Sequence, residues 1–127
     1  MQNLIDSREL IKKLKEGSPI EVEGETVRLP RFTEIKESLS SEFGITGGNF
    51  EVIVAKSRTA TWCLWPLDRK SKFEIKDGER FFKVVDAVKN ENPAKPVKGW
   101  VLTTAPVGED TRDYMKNAGH QIHRVTA

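Results

Sequence analysis

The stretch from Phe50 to Lys76 constrains this chain more than any other. It holds three runs of strand length: Phe50–Lys56, Thr61–Leu67 and Lys72–Lys76. The first is apolar inside charged ends, as expected of a strand covered on both faces of a sheet. Ser57-Arg58-Thr59 reads as a turn, so Thr61–Leu67 should return antiparallel. Alternation puts Trp62 and Leu64 on one face and Cys63, Trp65 and Leu67 on the other. The two tryptophans therefore cannot form one base-stacking platform, and the core is their expected place. Pro66 marks a strand end or an edge, because it lacks a ladder donor. Asp68-Arg69-Lys70-Ser71 is a charged turn into the third run.

Around this centre the punctuation is legible. Asp6 followed by Glu9 reads as a helix start, with Leu10, Ile11 and Leu14 as the apolar stripe and Gly17 as the stop. Ile20–Val22 and Thr26–Leu29 flank a Glu23-Gly24 turn and predict a hairpin. A helix followed by a hairpin also occurs in winged DNA-binding elements. Those need a second packed helix before the hairpin, so a lid or an added edge is expected instead. Phe32, Ile35, Leu39 and Phe43 recur near helical spacing, which predicts a second helix over Glu34–Phe43. Thr46-Gly47-Gly48 then makes a turn. Asp77 is expected to cap a long helix, Gly78 to about Asn90, with Phe81, Val84, Val85 and Val88 on one stripe. Gly99–Ala105 reads as a buried strand, Glu109 or Asp110 as a helix start, and Gln121–Val125 as a last strand. Strand, helix, strand at this spacing predicts a parallel pair.

The expected fold is therefore α/β (α+β). A three-stranded antiparallel meander is extended by a parallel strand-helix-strand, with helices on both faces and an N-terminal helix plus hairpin added. At 127 residues this is one domain, with residues 1–31 as the extension and 32–127 as the core. No apolar run approaches the ~20 residues of a membrane span, so no membrane partner is expected. Met1–Asp6 shows no basic region leading into an apolar stretch, and Cys63 is the single cysteine. Both favour a reducing cytoplasm. Cys63 is expected to be an inert core thiol. His120 and His123 should face opposite ways, which disfavours joint metal binding.

Charge is uneven. Residues 1–55 carry 7 Lys/Arg against 10 Asp/Glu, and residues 56–127 carry 14 against 9. The early excess lies in Lys56, Arg58, Arg69, Lys70, Lys72 and Lys76. A local basic patch binds phosphate by releasing counterions, even at low net charge. Lys56, Arg58, Arg69, Lys70 and Lys72 are the nucleic-acid-binding candidates, with DNA or RNA as partner.

The predicted order from Thr33 is helix, three antiparallel strands, helix, strand, helix, strand. With Lys98–Ala105, Thr111-Arg112-Asp113-Tyr114 and Gly119-His120-Gln121-Ile122, it resembles the restriction-endonuclease-like core of Mrr-type restriction nucleases and archaeal Holliday-junction resolvases. The resemblance covers roughly residues 33–125. It implies DNA cleavage by an early acidic residue and an (Asp/Glu)-x-Lys triplet on a following strand. Two carboxylates would hold Mg²⁺ against the phosphate, and the lysine would attend the attacking water. Two registers compete. In one, Glu51 is the first acid and the triplet falls on Trp65-Pro66-Leu67, which cannot do this chemistry. In the other, the triplet is Glu74-Ile75-Lys76, with Glu51 or Asp68 as the first acid. Glu51, Asp68, Glu74 and Lys76 are thus the catalytic candidates, the three carboxylates being metal ligands if the site is active.

The first register is preferred. It makes the chain a nucleic-acid-binding protein of nuclease-like fold with a degenerate catalytic site and no cofactor. The alternatives are an active Mg²⁺-dependent nuclease, and a scaffold or homodimerising interaction domain that would show an exposed apolar patch near Trp65 or Trp100.

Overall fold

The computed structural model describes residues 5–45 and 49–125. The turn expected at Thr46-Gly47-Gly48 lies outside them. Helix α1 spans Ser7–Glu16, capped by the Asp6 carboxylate, which accepts from the N–H groups of Arg8 and Glu9. Gly17 ends it at φ 70°, in the left-handed region that a residue without Cβ enters freely. Strands β1 (Ile20–Val22) and β2 (Glu25–Val27) pair antiparallel as a separate two-stranded sheet. The hairpin is therefore not an added edge of the main sheet.

The main sheet has the order β3 (Glu34–Leu39), β4 (Glu51–Lys56), β5 (Thr61–Leu67), β6 (Val97–Thr103) and β7 (Gln121–Arg124). The first two pairings are antiparallel and the last two parallel. Helix α2 (Ile75–Glu91) connects β5 to β6, and α3 (Glu109–Asn117) connects β6 to β7. The expected mixed α+β class and the parallel β6–β7 pair are both present.

Two elements differ from the sequence reading. Residues 34–39 form an edge strand rather than a helix, and Ser40–Phe43 make a short 3₁₀ turn. The reason is tertiary. β4 is buried between two layers and its outer backbone groups need a partner, which β3 supplies from Glu34↔Lys56 to Leu39↔Glu51. The supposed helical stripe is then divided. Phe32 and Ile35 pack on one side of the sheet, Phe43 packs on the other, and Leu39 is 41% exposed.

The second difference is at Lys72–Lys76, which is not a strand. Phe73 is fully buried and makes a single parallel bridge to Val107, its N–H donating to Pro106 O at 2.9 Å. The helix begins immediately after, at Ile75. Asp77 caps it from inside the first turn, its carboxylate accepting the Glu74 N–H at 2.8 Å. The antiparallel meander is therefore β3–β4–β5, one element earlier than expected.

Alternation along the buried strands divides the core as predicted. Trp62 and Leu64, with Ile53, Ala55, Trp100 and Leu102, pack beneath α1 and the hairpin. Cys63 and Trp65, with Val52, Val54 and Val101, pack beneath α2 and α3 through Phe81, Val84, Val85, Val88 and Met115. Trp62, Trp65 and Trp100 are all buried, so none offers an exposed stacking platform or apolar patch. Among the described residues, the exposed large apolar side chains are Leu39 and Ile75. Pro66 lies past Leu64, where the β4–β5 register ends and β5 continues beside β6 only. Among the described residues, no helix is long and apolar enough to cross a membrane.

Candidate functional site

Parallel strands leave their carboxyl ends on one side of the sheet, and the loops that follow them enclose a crevice there. In this chain the segments after β5 and β6 and the end of β7 line it, together with the tip of the β1–β2 hairpin. The cleft has a volume of about 740 Å³ and is lined by Glu23, Asp68, Arg69, Lys70, Thr104, Pro106, Arg124 and Val125.

Thr104 organises its floor. Its backbone N–H donates to Leu67 O at 3.2 Å. Its hydroxyl donates to Asp68 Oδ1 at 2.8 Å and accepts the Arg69 N–H at 3.1 Å. One side chain thereby holds the start of the charged turn against the end of β6. Arg69 is held on its other flank. Its guanidinium grips the Asp77 carboxylate at 3.2 and 2.6 Å and also reaches Lys72 O at 3.1 Å. Burial alone would raise the Asp77 carboxyl. The Arg69 hydrogen bonds, the Glu74 N–H and the charges of Arg69 and Lys76 outweigh it, so the pKa lies below the ordinary value. Among the described residues no carboxylate pairs with Lys70 or Arg124, although Arg124 Nε donates to Thr104 O at 3.4 Å, and these are the cations of the cleft without an ion pair.

The sequence-derived candidates fall in different places. Glu51 begins β4 on the α1 side, where its Oε2 accepts from Ser7 Oγ at 3.1 Å. Its neighbour Glu37 is shifted upward, first by partial burial and then by the charge and hydrogen bonding of Glu51. Asp68 lies at the end of β5, on Thr104. Glu74 and Lys76 lie at the start of α2, on the opposite layer from Glu51. They are exposed and ion-paired with each other at 3.5 Å. The i, i+2 geometry expected of a strand triplet is therefore absent at Glu74-Ile75-Lys76, because Ile75 is already helical. Among the described residues, no three His, Cys, Asp or Glu side chains converge as metal ligands.

The predicted basic patch is also divided. Lys56 and Arg58 sit at the β4–β5 turn, where Lys56 pairs with Glu34 at 3.7 Å. Arg69, Lys70 and Lys72 follow the opposite end of β5. Seven strand residues separate the two groups by about 20 Å. Of these five, Arg69 and Lys70 line the cleft.

Cys63 is fully buried and its thiol is pushed up to about 12 by burial. His120 and His123 face different layers. His120 packs against Phe81 and Phe82 of α2, and His123 packs against Trp100 with ring centroids 4.8 Å apart.

The site contains residues that sequence reasoning did not single out. Glu23, at the tip of the β1–β2 hairpin, takes both guanidinium nitrogens of Arg112, each at 3.0 Å. It also accepts the Arg124 N–H at 3.2 Å and faces His123 Nδ1 at 3.1 Å. Burial pushes the Glu23 carboxyl up, but Arg112, Arg124 N–H and His123 together bring it below the ordinary value. These partners lie 89 to 101 residues away along the chain, so no local spacing could reveal them.

Fold and site together define a three-layer α/β protein with a polar crevice at the carboxyl ends of its parallel strands. No family model, curated protein or solved structure matches the chain.

Proposed function

We propose that this chain is a nucleic-acid-binding protein of restriction-endonuclease-like layout that contacts phosphates at the β5–β7 cleft and lacks the cleavage machinery. The observation that carries the reading is the third meander strand. Read from α1, and setting the hairpin aside, the order is helix, three antiparallel strands, helix, strand, helix, strand. Glu51 then opens the second strand, and the triplet position of the third falls on Trp65-Pro66-Leu67. Trp65 and Pro66 are buried and Leu67 half-buried, with neither a carboxylate nor a lysine to serve a metal or a water. Lys70 and Arg124 at the same sheet end supply charge for phosphate oxygens. A fold does not fix a function, so the chemistry of the cleft carries the partner class.

The test is binding and cleavage of labelled duplex, branched and single-stranded DNA and of RNA, with Mg²⁺, with Mn²⁺ and with EDTA. Two neutralised phosphates give a log–log salt slope of about −1.8, or roughly a 12-fold loss of affinity between 50 and 200 mM salt. Lys70→Glu with Arg124→Glu should remove binding, and EDTA should leave it unchanged. Metal-dependent cutting that Glu74→Ala abolished would establish the active Mg²⁺ nuclease instead. The absence of any salt-sensitive binding would leave a scaffold or protein-interaction domain.

A further inference from the structure

The geometry points to an oxyanion-binding pocket, formed by Arg112, His123 and the Arg124 N–H, that the Glu23 carboxylate of the same chain occupies as a displaceable plug. Four donors from two elements converge on this one side chain. Arg112 of α3 addresses both oxygens in a parallel fork, the arrangement that a guanidinium uses for carboxylates and phosphates alike. Oε1 alone receives three contacts: Arg112, His123 Nδ1 and the Arg124 N–H. A carboxylate only accepts, so Nδ1 of His123 donates here. Its other ring nitrogen lies 2.7 Å from the side-chain amide of Gln121, which fixes the ring's direction. Three donors on one oxygen and a fourth on its neighbour suit a tetrahedral phosphate as well as they suit a carboxylate.

The plug sits at the tip of a small hairpin whose base, Ile20 and Val22, is anchored in the core. The hairpin belongs to a separate two-stranded sheet, and its strands are three residues each. Glu23 itself has φ 49°, the single non-glycine residue at positive φ among those described. With Gly24 at φ 81° it makes a two-residue turn of the kind that asparagine, aspartate or glycine occupies at lower cost. A long, branchless side chain in that position is disfavoured locally and is held by its contacts to the pocket. Glu23 also lines the cleft beside Arg124, so an anion entering from the cleft meets the plug directly. Two of the pocket-forming groups have anchors other than Glu23. Arg112 NH1 is also anchored to Ile122 O at 3.3 Å, and the Arg124 amide belongs to β7.

The inference deepens the proposed function, since displacement of Glu23 by a phosphate would regulate access to the same cleft. Its core, anion binding at Arg112, can be tested apart from that reading. Inorganic phosphate is titrated into the wild-type chain, Glu23→Ala and Glu23→Ala/Arg112→Ala, following the Arg124 amide and His123 ring resonances. Glu23→Ala should bind phosphate at least ten-fold more tightly than wild type, and the added Arg112→Ala should erase the gain. Ile20 and Val22 are buried at the hairpin base, so the tip variant keeps its anchorage. Glu23→Gln, which keeps the reach and drops the charge, should give a smaller gain and serves if Glu23→Ala fails to fold. Equal weak binding by wild type and both single variants would overturn the proposal. A gain that survives loss of Arg112 would overturn it too. The same variants are then tested with a labelled oligonucleotide. A parallel gain identifies the bound group as a nucleic-acid phosphate. A gain for inorganic phosphate alone keeps the pocket and removes the nucleic-acid reading. Salt-sensitive oligonucleotide binding that is indifferent to Glu23 and Arg112 keeps that reading and removes the pocket.

Discussion

Replacing Asp77 by alanine removes three interactions at once. It deletes the two guanidinium contacts of Arg69, at 3.2 and 2.6 Å, and the acceptor for the Glu74 N–H at 2.8 Å. A cap of this kind is worth about 1 kcal/mol. A hydrogen bond to a charged partner contributes about 1.5–3 kcal/mol. The Asp77 side chain is only 9% exposed, but Arg69 is 29% exposed and keeps backbone carbonyl partners at Ser71 and Lys72. The stranded guanidinium can therefore rehydrate, and the loss should be about 2–4 kcal/mol rather than that of a fully buried broken pair. Chemical denaturation of wild type, Asp77→Ala, Arg69→Met and the double variant measures it, the cycle isolating the pair.

Acid pH gives a second reading of the same pair. The folded Asp77 pKa lies below its unfolded value, so its contribution is fully present above about pH 4 and is lost as pH falls through the folded value. Asp77→Asn should flatten that acid limb. A total loss below about 1 kcal/mol, or no coupling between Arg69 and Asp77, would refute the view that this pair braces the cleft wall.

Two further predictions concern the contact between β6 and the loop before β7. A Cβ on Gly99 would lie 2.9 Å from both His120 Nδ1 and the Phe81 ring, so Gly99→Ala should cost about 1–3 kcal/mol by overpacking, read as a lowered Tm. His120 Nδ1 accepts the Gly99 N–H at 3.0 Å, and burial holds its pKa down while Asp86 pulls it part-way back. Its stabilising contribution is therefore complete above about pH 6.5 and declines as pH falls from there through the folded value, and His120→Gln should reduce that dependence in a denaturation series.

Where local chemistry decides an element, the sequence was sufficient. Asp6 and Gly17 delimit α1 because a side-chain acceptor and a left-handed residue are local requirements. The division of Trp62 and Leu64 from Cys63 and Trp65 follows from the two-residue period of any strand. The stripe of Phe81, Val84, Val85 and Val88 finds the sheet as its spacing requires. Glu34–Phe43 and Lys72–Lys76 were misread for one reason. Their apolar residues satisfy a local period, but the state is set by a distant partner: the open edge of β4 for the first, the Pro106–Val107 backbone for the second.

The candidate site divides along the same line. Asp68, Arg69 and Lys70 were legible as a charged turn, and the turn does border the cleft. Lys56 and Arg58, which proximity along the chain groups with this turn as one basic patch, stand at the far end of β5. The Glu23 cluster was not legible at all. Its donors come from α3 and β7, and only folding brings them to a hairpin tip some hundred residues earlier. Period and capping act over a few residues and can be read from the chain. Edge completion, ion pairing across layers and the convergence of donors on one carboxylate depend on positions in space, and the tertiary structure alone decided them.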